Sequence, residues 1–420
     1  MTLLELRPED DHRRARALRA LSSAEIDLGE PAAPDHAAEA ETFLANILWQ
    51  VARRDDAHAA ARRALDLLRD QPPSHAKAAA LVERSRLAML AGESDEAIDV
   101  GRPGLELARQ FADERLQARA LITIGTALGH RGGDGIRELT LGIEIAERAN
   151  AMTEFVRGNN NLAQERLVTG DLAGTIAIYD AVLDRIDRLG LTSGISWVLG
   201  QKISASYFTG AWDEVEPISA RFKTVVARMP GHYLEHQIAV VEAAVMSARD
   251  QPEAEAAWVV ALELASKAGD PQAIGPPLAQ RARVLLDSGR PSEVPGLVEQ
   301  VLALQDEQGA LYYTWLIELA WLLLDFGREA EMPTTAHGGV WLEVSRAIVR
   351  GELVEAADVF ERMGFRVAEA YTRLRIAEKL ASVGRHAEAR PQLDRALSFY
   401  RSVGAAAYVR RGETLLLASA

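Results

Sequence analysis

Cysteine is absent from all 420 residues, which excludes disulfides and any metal site built on thiolates. Aromatic residues are scarce at 6%, against 48% apolar residues overall. With Ala, Leu, Arg and Glu abundant, this is the usage of long helices that meet through small side chains. Positive charge is also short: 47 Lys and Arg stand against 61 Asp and Glu, for a net charge of -14. That balance argues against a nucleic-acid or anionic-membrane partner, since either needs a basic surface to displace counterions. The basic stretch His12 to Arg19 reads as a solvated helix face. Long apolar runs are missing too. The most apolar segment, Trp315 to Phe326, is interrupted by Glu318 and Asp325 and is too short to span a bilayer. The first residues, MTLLELRPEDD, turn acidic before any secretory-length apolar stretch, so no signal peptide and a cytoplasmic location are expected. The excess of Arg over Lys suggests a GC-rich bacterial coding bias.

What is present is a repeat. A glycine followed by a helix-opening acidic or apolar pair returns about every 39 residues, at Gly92, Gly132, Gly170, Gly210, Gly289, Gly327, Gly351 and Gly384, with Asp250 keeping the register where one glycine is missing. A period of that size denotes a solenoid, in which no unit buries its own apolar face and each must stack on its neighbours. Residues 159–190 show how one unit works. Leu162, Ala163 and Leu167 sit at helical spacing before Gly170, and Ile176, Tyr179, Val182, Leu183 and Ile186 repeat at three and four residues after it. Gly170 is suited to the left-handed conformation that ends a helix, and Asp171 to accepting hydrogen bonds from the free N–H groups that open the next. The expected unit is an antiparallel helical hairpin, and the expected fold is all-α.

Asn161-Leu162-Ala163, the Gly170-Asp171 turn and Tyr179 make this unit resemble a tetratricopeptide repeat. The last unit, with Ile376-Ala377, Gly384, Glu388-Ala389 and Ala396-Leu397, is similar. Units four to six residues longer than the strict 34 resemble those of bacterial maltose-activator-type regulators. The resemblance implies a right-handed α-α superhelix of about nine to ten hairpins, and an interaction scaffold rather than an enzyme. The closing segment carries Phe399-Tyr400-Arg401, Gly404-Ala405, Tyr408 and Arg411. It resembles the end of bacterial signalling proteins that join a signal-transducing ATPase or a nucleotide cyclase to a tetratricopeptide sensor. No GxxxxGK[ST] loop, cyclase-like domain or DNA-reading module accompanies it, so this chain resembles the sensor arm alone.

Residues 1–38 are expected to form a degenerate helix and linker, and 39–420 the solenoid. An irregular break is expected near 328–340, because only 24 residues separate Gly327 from Gly351 and EMPTTAHGG (331–339) is punctuated like a loop. The seven tryptophans fall mostly at helical spacing among apolar neighbours, which reads as core.

Catalytic patterns are few. His232-Tyr233-Leu234-Glu235-His236 is a literal HxxEH, in which two histidines one turn apart could hold zinc and the glutamate could activate water. The competing reading has Pro230-Gly231 ending a loop, His232 opening a first helix, and Tyr233 and His236 packing on the neighbouring hairpin. GHRGGDGI (129–136) lacks the preceding strand and the lysine of a phosphate cradle, and reads as a lengthened turn. There is no GxSxG elbow. No catalytic residue, cofactor or metal ligand is assigned.

Family offsets before the turn glycine place Arg157, Asn160 and Gln164 in the concave groove, and Trp197, Gln201 and Tyr207 in that of the next unit. Arg and Asn suit a peptide carboxylate or backbone, and Trp and Tyr supply low-entropy contact area. The expected function is a non-enzymatic scaffold or sensor arm that binds a protein or peptide partner in bacterial signalling or transcriptional regulation. The alternatives are a metal-dependent hydrolase using His232, Glu235 and His236, and a purely structural assembly scaffold.

Overall fold

The computed structural model describes residues 33–50, 53–190, 194–227, 232–269, 271–308, 315–333 and 339–418. Of these residues 84% are helical, in twenty α-helices, with no strand among them. The chain divides into two compact units, Met1–Glu165 and Arg166–Ala420.

The first unit contains α1 (Ala33–Gln50), α2 (Arg54–Leu67), α3 (His75–Leu90), α4 (Ser94–Gln110), α5 (Glu114–His130), α6 (Ile136–Arg148) and most of α7 (Met152–Val168). α1 begins inside the stretch 1–38 that the sequence assigns to a helix and linker, and the basic residues His12 to Arg19 lie outside the described residues. Helices pair as α1–α2, α3–α4 and α5–α6, and the first members also stack, α1 on α3 and α3 on α5. Small residues make these approaches close: Ala57, Ala60, Ala61 and Ala64 form the buried face of α2. At the α5–α6 crossing a Cβ on Gly135 would lie 1.9 Å from the carbonyl oxygen of Gly125. GHRGGDGI is therefore a turn whose final glycine lets two backbones touch.

The second unit continues with α8 (Leu172–Leu189), α9 (Ile195–Thr209), α10 (Val215–Val226), α11 (Glu235–Ala248), α12 (Ala254–Ala268), α13 (Pro271–Asp287), α14 (Pro295–Gln308) and α15 (Leu316–Asp325). It closes with α16 (Gly339–Val349), α17 (Leu353–Met363), α18 (Arg366–Ser382), α19 (His386–Ser402) and α20 (Ala406–Ala418). Between α15 and α16 stands a single 3-10 turn, Glu329–Glu331; within the stretch expected to be irregular, 334–338 lie outside the described residues.

All eight repeat glycines have positive φ, and so does Asp250 at 59°. Gly170 (φ 84°) ends α7, and Asp171 Oδ1 accepts from Gly174 N at 2.8 Å to open α8. A second left-handed series, between hairpins rather than within them, runs through Ala112, Asn150, Gly190, Gly269, Gly364 and Gly404.

The second unit turns back on itself. α18 lies against α9 and α20 against α11, Phe208 meets Phe365 with ring centres 4.7 Å apart, and Arg249 Nε donates to Val403 O at 3.1 Å. Trp258, Trp321 and Trp341 are fully buried, and the indole of Trp341 donates to Leu167 O at 2.8 Å. No described helix is long and apolar enough to cross a membrane.

Candidate binding surface

In each unit the first helices of successive hairpins lie side by side, and their shared face collects polar side chains. In the first unit this face carries Arg86 on α3, Arg119 on α5 and Arg157 on α7. Glu83, almost fully buried, pairs with both Arg86 (2.6 Å) and Arg119. Arg157 has no carboxylate of its own: it donates to Thr123 Oγ1 at 3.2 Å and to the carbonyl of Arg119 at 3.0 Å. Burial, together with the charges of Arg119 and Arg86, pushes its guanidinium down to about 9, so it remains a cation at neutral pH. One turn on, the side-chain oxygen of Asn160 is buried without a hydrogen-bond partner, while Asn161 Nδ2 donates to Thr126 Oγ1 at 2.7 Å and ties α7 to α5. Gln164 follows at half-burial. Two turns from Arg157, Glu165 packs against Gly129, and burial with the nearby Asp134 raises its carboxyl to about 7.

The other three groove residues belong to the second unit, so the six do not form one described stripe. Trp197, near the start of α9, is 44% exposed, stacks on Tyr233 (6.0 Å, 22°) and meets the edge of His232 at 5.3 Å. Gln237 on α11 donates to Gln201 Oε1 at 3.2 Å and to Ser204 Oγ at 2.8 Å. Tyr207 turns inward, stacked on Trp212 at 5.7 Å, and its hydroxyl accepts from Gln280 on α13 at 3.2 Å. Its deep setting escapes an offset count, because α13 is brought to α9 only by stacking of the hairpins.

Further along the same inner face lies an ionic cluster that the sequence reading did not find. Asp287 accepts from Arg411 (2.7 Å), Arg283 (3.2 Å), Tyr371 (3.1 Å) and Tyr408 (3.1 Å). Asp325 pairs with Arg283 (2.9 Å) and Arg375 (2.5 Å), and Glu378 with Arg411 (2.6 Å). Burial alone would raise Asp287, but Arg283 and Arg411 outweigh it and hold the carboxyl below its ordinary range. The only sequence signal of this cluster was that acidic and basic residues recur at helical spacing on α13, α15 and α18. The partners are up to 124 residues apart.

The HxxEH residues serve local structure. Glu235 Oε1 accepts from His232 N at 3.0 Å, His232 Nδ1 from Leu234 N at 3.2 Å, and His236, mostly buried, meets Tyr233 O at 2.6 Å. The glutamate thus closes the turn that leads into α11, and Tyr233 packs on the neighbouring hairpin through Trp197. Pro230 and Gly231 lie outside the described residues. Among the described residues no group of three or more His, Asp or Glu side chains is placed to hold a metal ion.

No family model matches the chain, and no curated protein matches it in sequence. Among solved structures it is similar to the Rap protein complexed with Competence and Sporulation Factor, at TM-score 0.53 and 9% identity over 73% of this chain and 88% of that one. It is also similar to a Pyrococcus horikoshii signal transduction ATPase with numerous domains and a tetratricopeptide repeat sensor. That match has TM-score 0.50 and 13% identity over 85% of this chain and 55% of that one. At such identities the likeness is one of fold: the chain has the all-α, tetratricopeptide-like solenoid architecture.

Proposed function

We propose that this chain is a non-enzymatic scaffold whose first-helix faces bind an extended segment of a protein or peptide, as a sensor arm in bacterial signalling or transcriptional regulation. The observation that carries the reading is the pair Arg157 and Asn160. A guanidinium without a carboxylate partner stands one turn from a buried amide oxygen without a donor, on the face where solenoids of this kind expose one stripe per repeat. Both groups have unused hydrogen-bonding capacity suited to a peptide carboxylate or backbone amide. The exposed Trp197 offers aromatic contact area on the corresponding face of the second unit. The fold likeness to a Rap protein crystallised with Competence and Sporulation Factor, and to an ATPase carrying a tetratricopeptide sensor, supports the signalling context.

Photo-cross-linking tests it. A benzoyl-phenylalanine at position 164 is expected to capture a protein or peptide from source-cell extract, and one at the exposed Glu263, on the second helix of its hairpin, is not. Asn160→Ala should reduce capture at 164 several-fold. Equal labelling at the two positions, or capture insensitive to Asn160→Ala, would refute the assignment.

A further inference from the structure

On the inner face of the first unit three guanidinium groups share one carboxylate. Glu83 on α3, almost fully buried, accepts from Arg86 in a fork at 2.6 and 3.1 Å, and Arg119 of α5 reaches its Oε2. Burial alone would raise this carboxyl, but Arg119, Arg86 and Arg157 of α7 outweigh it and hold the group below the ordinary carboxylate range. Arg157 acts on Glu83 without bonding to it. Two of its five N–H groups go to Thr123 and to the carbonyl of Arg119, both on α5. Glu154, three residues earlier on α7, also acts on Arg157 but has a cation of its own, Arg115 at 3.6 Å. Three positive charges therefore stand against the one negative charge of Glu83, a surplus of two. The side chains of Arg86 and Arg119 are 13% and 29% exposed, so this surplus is sheltered from water yet reachable from the face. One turn beyond Arg157, Asn160 adds a buried amide oxygen with no donor.

Sheltered cations in excess lack the counter-charge that buried ions normally have. We propose that Arg86, Arg119, Arg157 and Asn160 form a subsite for a phosphorylated side chain of the bound protein or peptide. A phosphate monoester carries close to two negative charges at neutral pH and three acceptor oxygens, one for each guanidinium. A carboxylate would answer half of the surplus and offers two oxygens. Asn160 needs the opposite, a donor, and the backbone N–H groups flanking a phosphorylated residue supply it. That favours a phosphorylated chain over free phosphate. A polynucleotide brings phosphodiesters of one charge each and meets a chain of net charge -14. The subsite rests on the scaffold reading only in treating the inner face as a binding face.

The test titrates the full chain with N-acetyl-phosphoserine N-methylamide, followed by its 31P shift at constant ionic strength. Inorganic phosphate, N-acetyl-glutamate N-methylamide and an oligothymidylate serve as competitors. The phosphoserine probe is expected to bind, and each competitor to bind several-fold more weakly. Arg157→Gln should weaken the probe about ten-fold. Arg157→Lys, which keeps the charge and loses the fork, should weaken it several-fold and decides the matter if Arg157→Gln does not fold. Arg109→Gln, at an exposed arginine paired with Glu106 on α4, should leave it unchanged. Asn160→Ala should weaken the phosphoserine probe several-fold and leave inorganic phosphate as it was. No 31P shift, equal binding of any competitor, or full affinity in a folded Arg157 variant overturns the subsite. So does capture at position 164 that is undiminished by phosphatase treatment of the extract, an outcome that leaves the scaffold reading standing. Phosphoserine binding without any capture at 164 does the reverse.

Discussion

The hydroxyl of Tyr408 donates to Asp287 Oδ2 at 3.1 Å across 121 residues of sequence. With it come Arg411 from the same helix and Tyr371 from α18, so one carboxylate joins α13 to both α18 and α20. Tyr408 is stacked on Tyr400 at 4.7 Å and 11°, which fixes the ring that delivers the hydroxyl.

Asp287→Asn is therefore expected to destabilise the second unit by roughly 3 kcal/mol or more, since it leaves buried guanidinium groups short of their counter-charge. The folded-state carboxyl lies below its ordinary value of 3.8, so its stabilisation is full above that value and is lost as pH falls through the lower, folded-state one. Urea denaturation at pH 7 and pH 3 checks both: the variant should lose stability at pH 7 and show a smaller difference from the parent at pH 3.

Glu318 carries the opposite sign. Burial raises its folded-state value from 4.5 to about 7, so its contribution is full below 4.5 and is lost as pH rises toward 7. Glu318→Gln should be more stable than the parent at pH 8, by roughly 1 to 3 kcal/mol, and close to it at pH 4.5. Equal melting curves at pH 8 would contradict the placement of this carboxyl.

Ala112 is exposed and sits at φ 53° where the neighbouring turns use glycine. Ala112→Gly should relieve the left-handed strain and stabilise the first unit by about 0.5 to 1 kcal/mol. Thermal denaturation would show a small upward shift, and a downward one would count against the strain.

Two glycines separate backbone strain from steric overlap. Gly92→Ala meets nothing within 4 Å but must hold φ 79°, and should cost about 1 kcal/mol. Gly135→Ala puts a methyl 1.9 Å from a backbone oxygen that cannot move aside, and should cost roughly 3 kcal/mol or more. Comparable losses at the two positions would show that α5 and α6 do not approach as described.

Asn160→Ala removes an oxygen that bonds to nothing, so it should change stability by less than about 0.5 kcal/mol. Arg157→Ala forfeits the bonds to Thr123 and Arg119 and should cost about 1 to 2 kcal/mol. Asn160→Ala is therefore the cleaner probe of partner binding, and a large drop in its melting temperature would remove it as one.

The hairpins were legible in the chain because their rules are local. A left-handed turn needs glycine or a tolerant Asp, and a helix that buries one face needs apolar residues every three or four positions. Gly170 with Asp171, and Asp250 standing in for a glycine, follow from those rules without any knowledge of neighbours. The second turn series passed unnoticed because Ala112 and Asn150 carry no such signal. Offsets counted from the turn glycine put Arg157 and Trp197 on first helices correctly, but gave no hint that Tyr207 would point inward to Gln280.

By itself, then, the sequence determined the all-α class, the repeat length and where each hairpin turns, because each depends on contacts within a few residues. Only the tertiary structure decided which charges are paired. Asp287 finds Arg411 and Tyr408 because the stacking of hairpins sets the distance between helices more than a hundred residues apart. No local pattern encodes that distance.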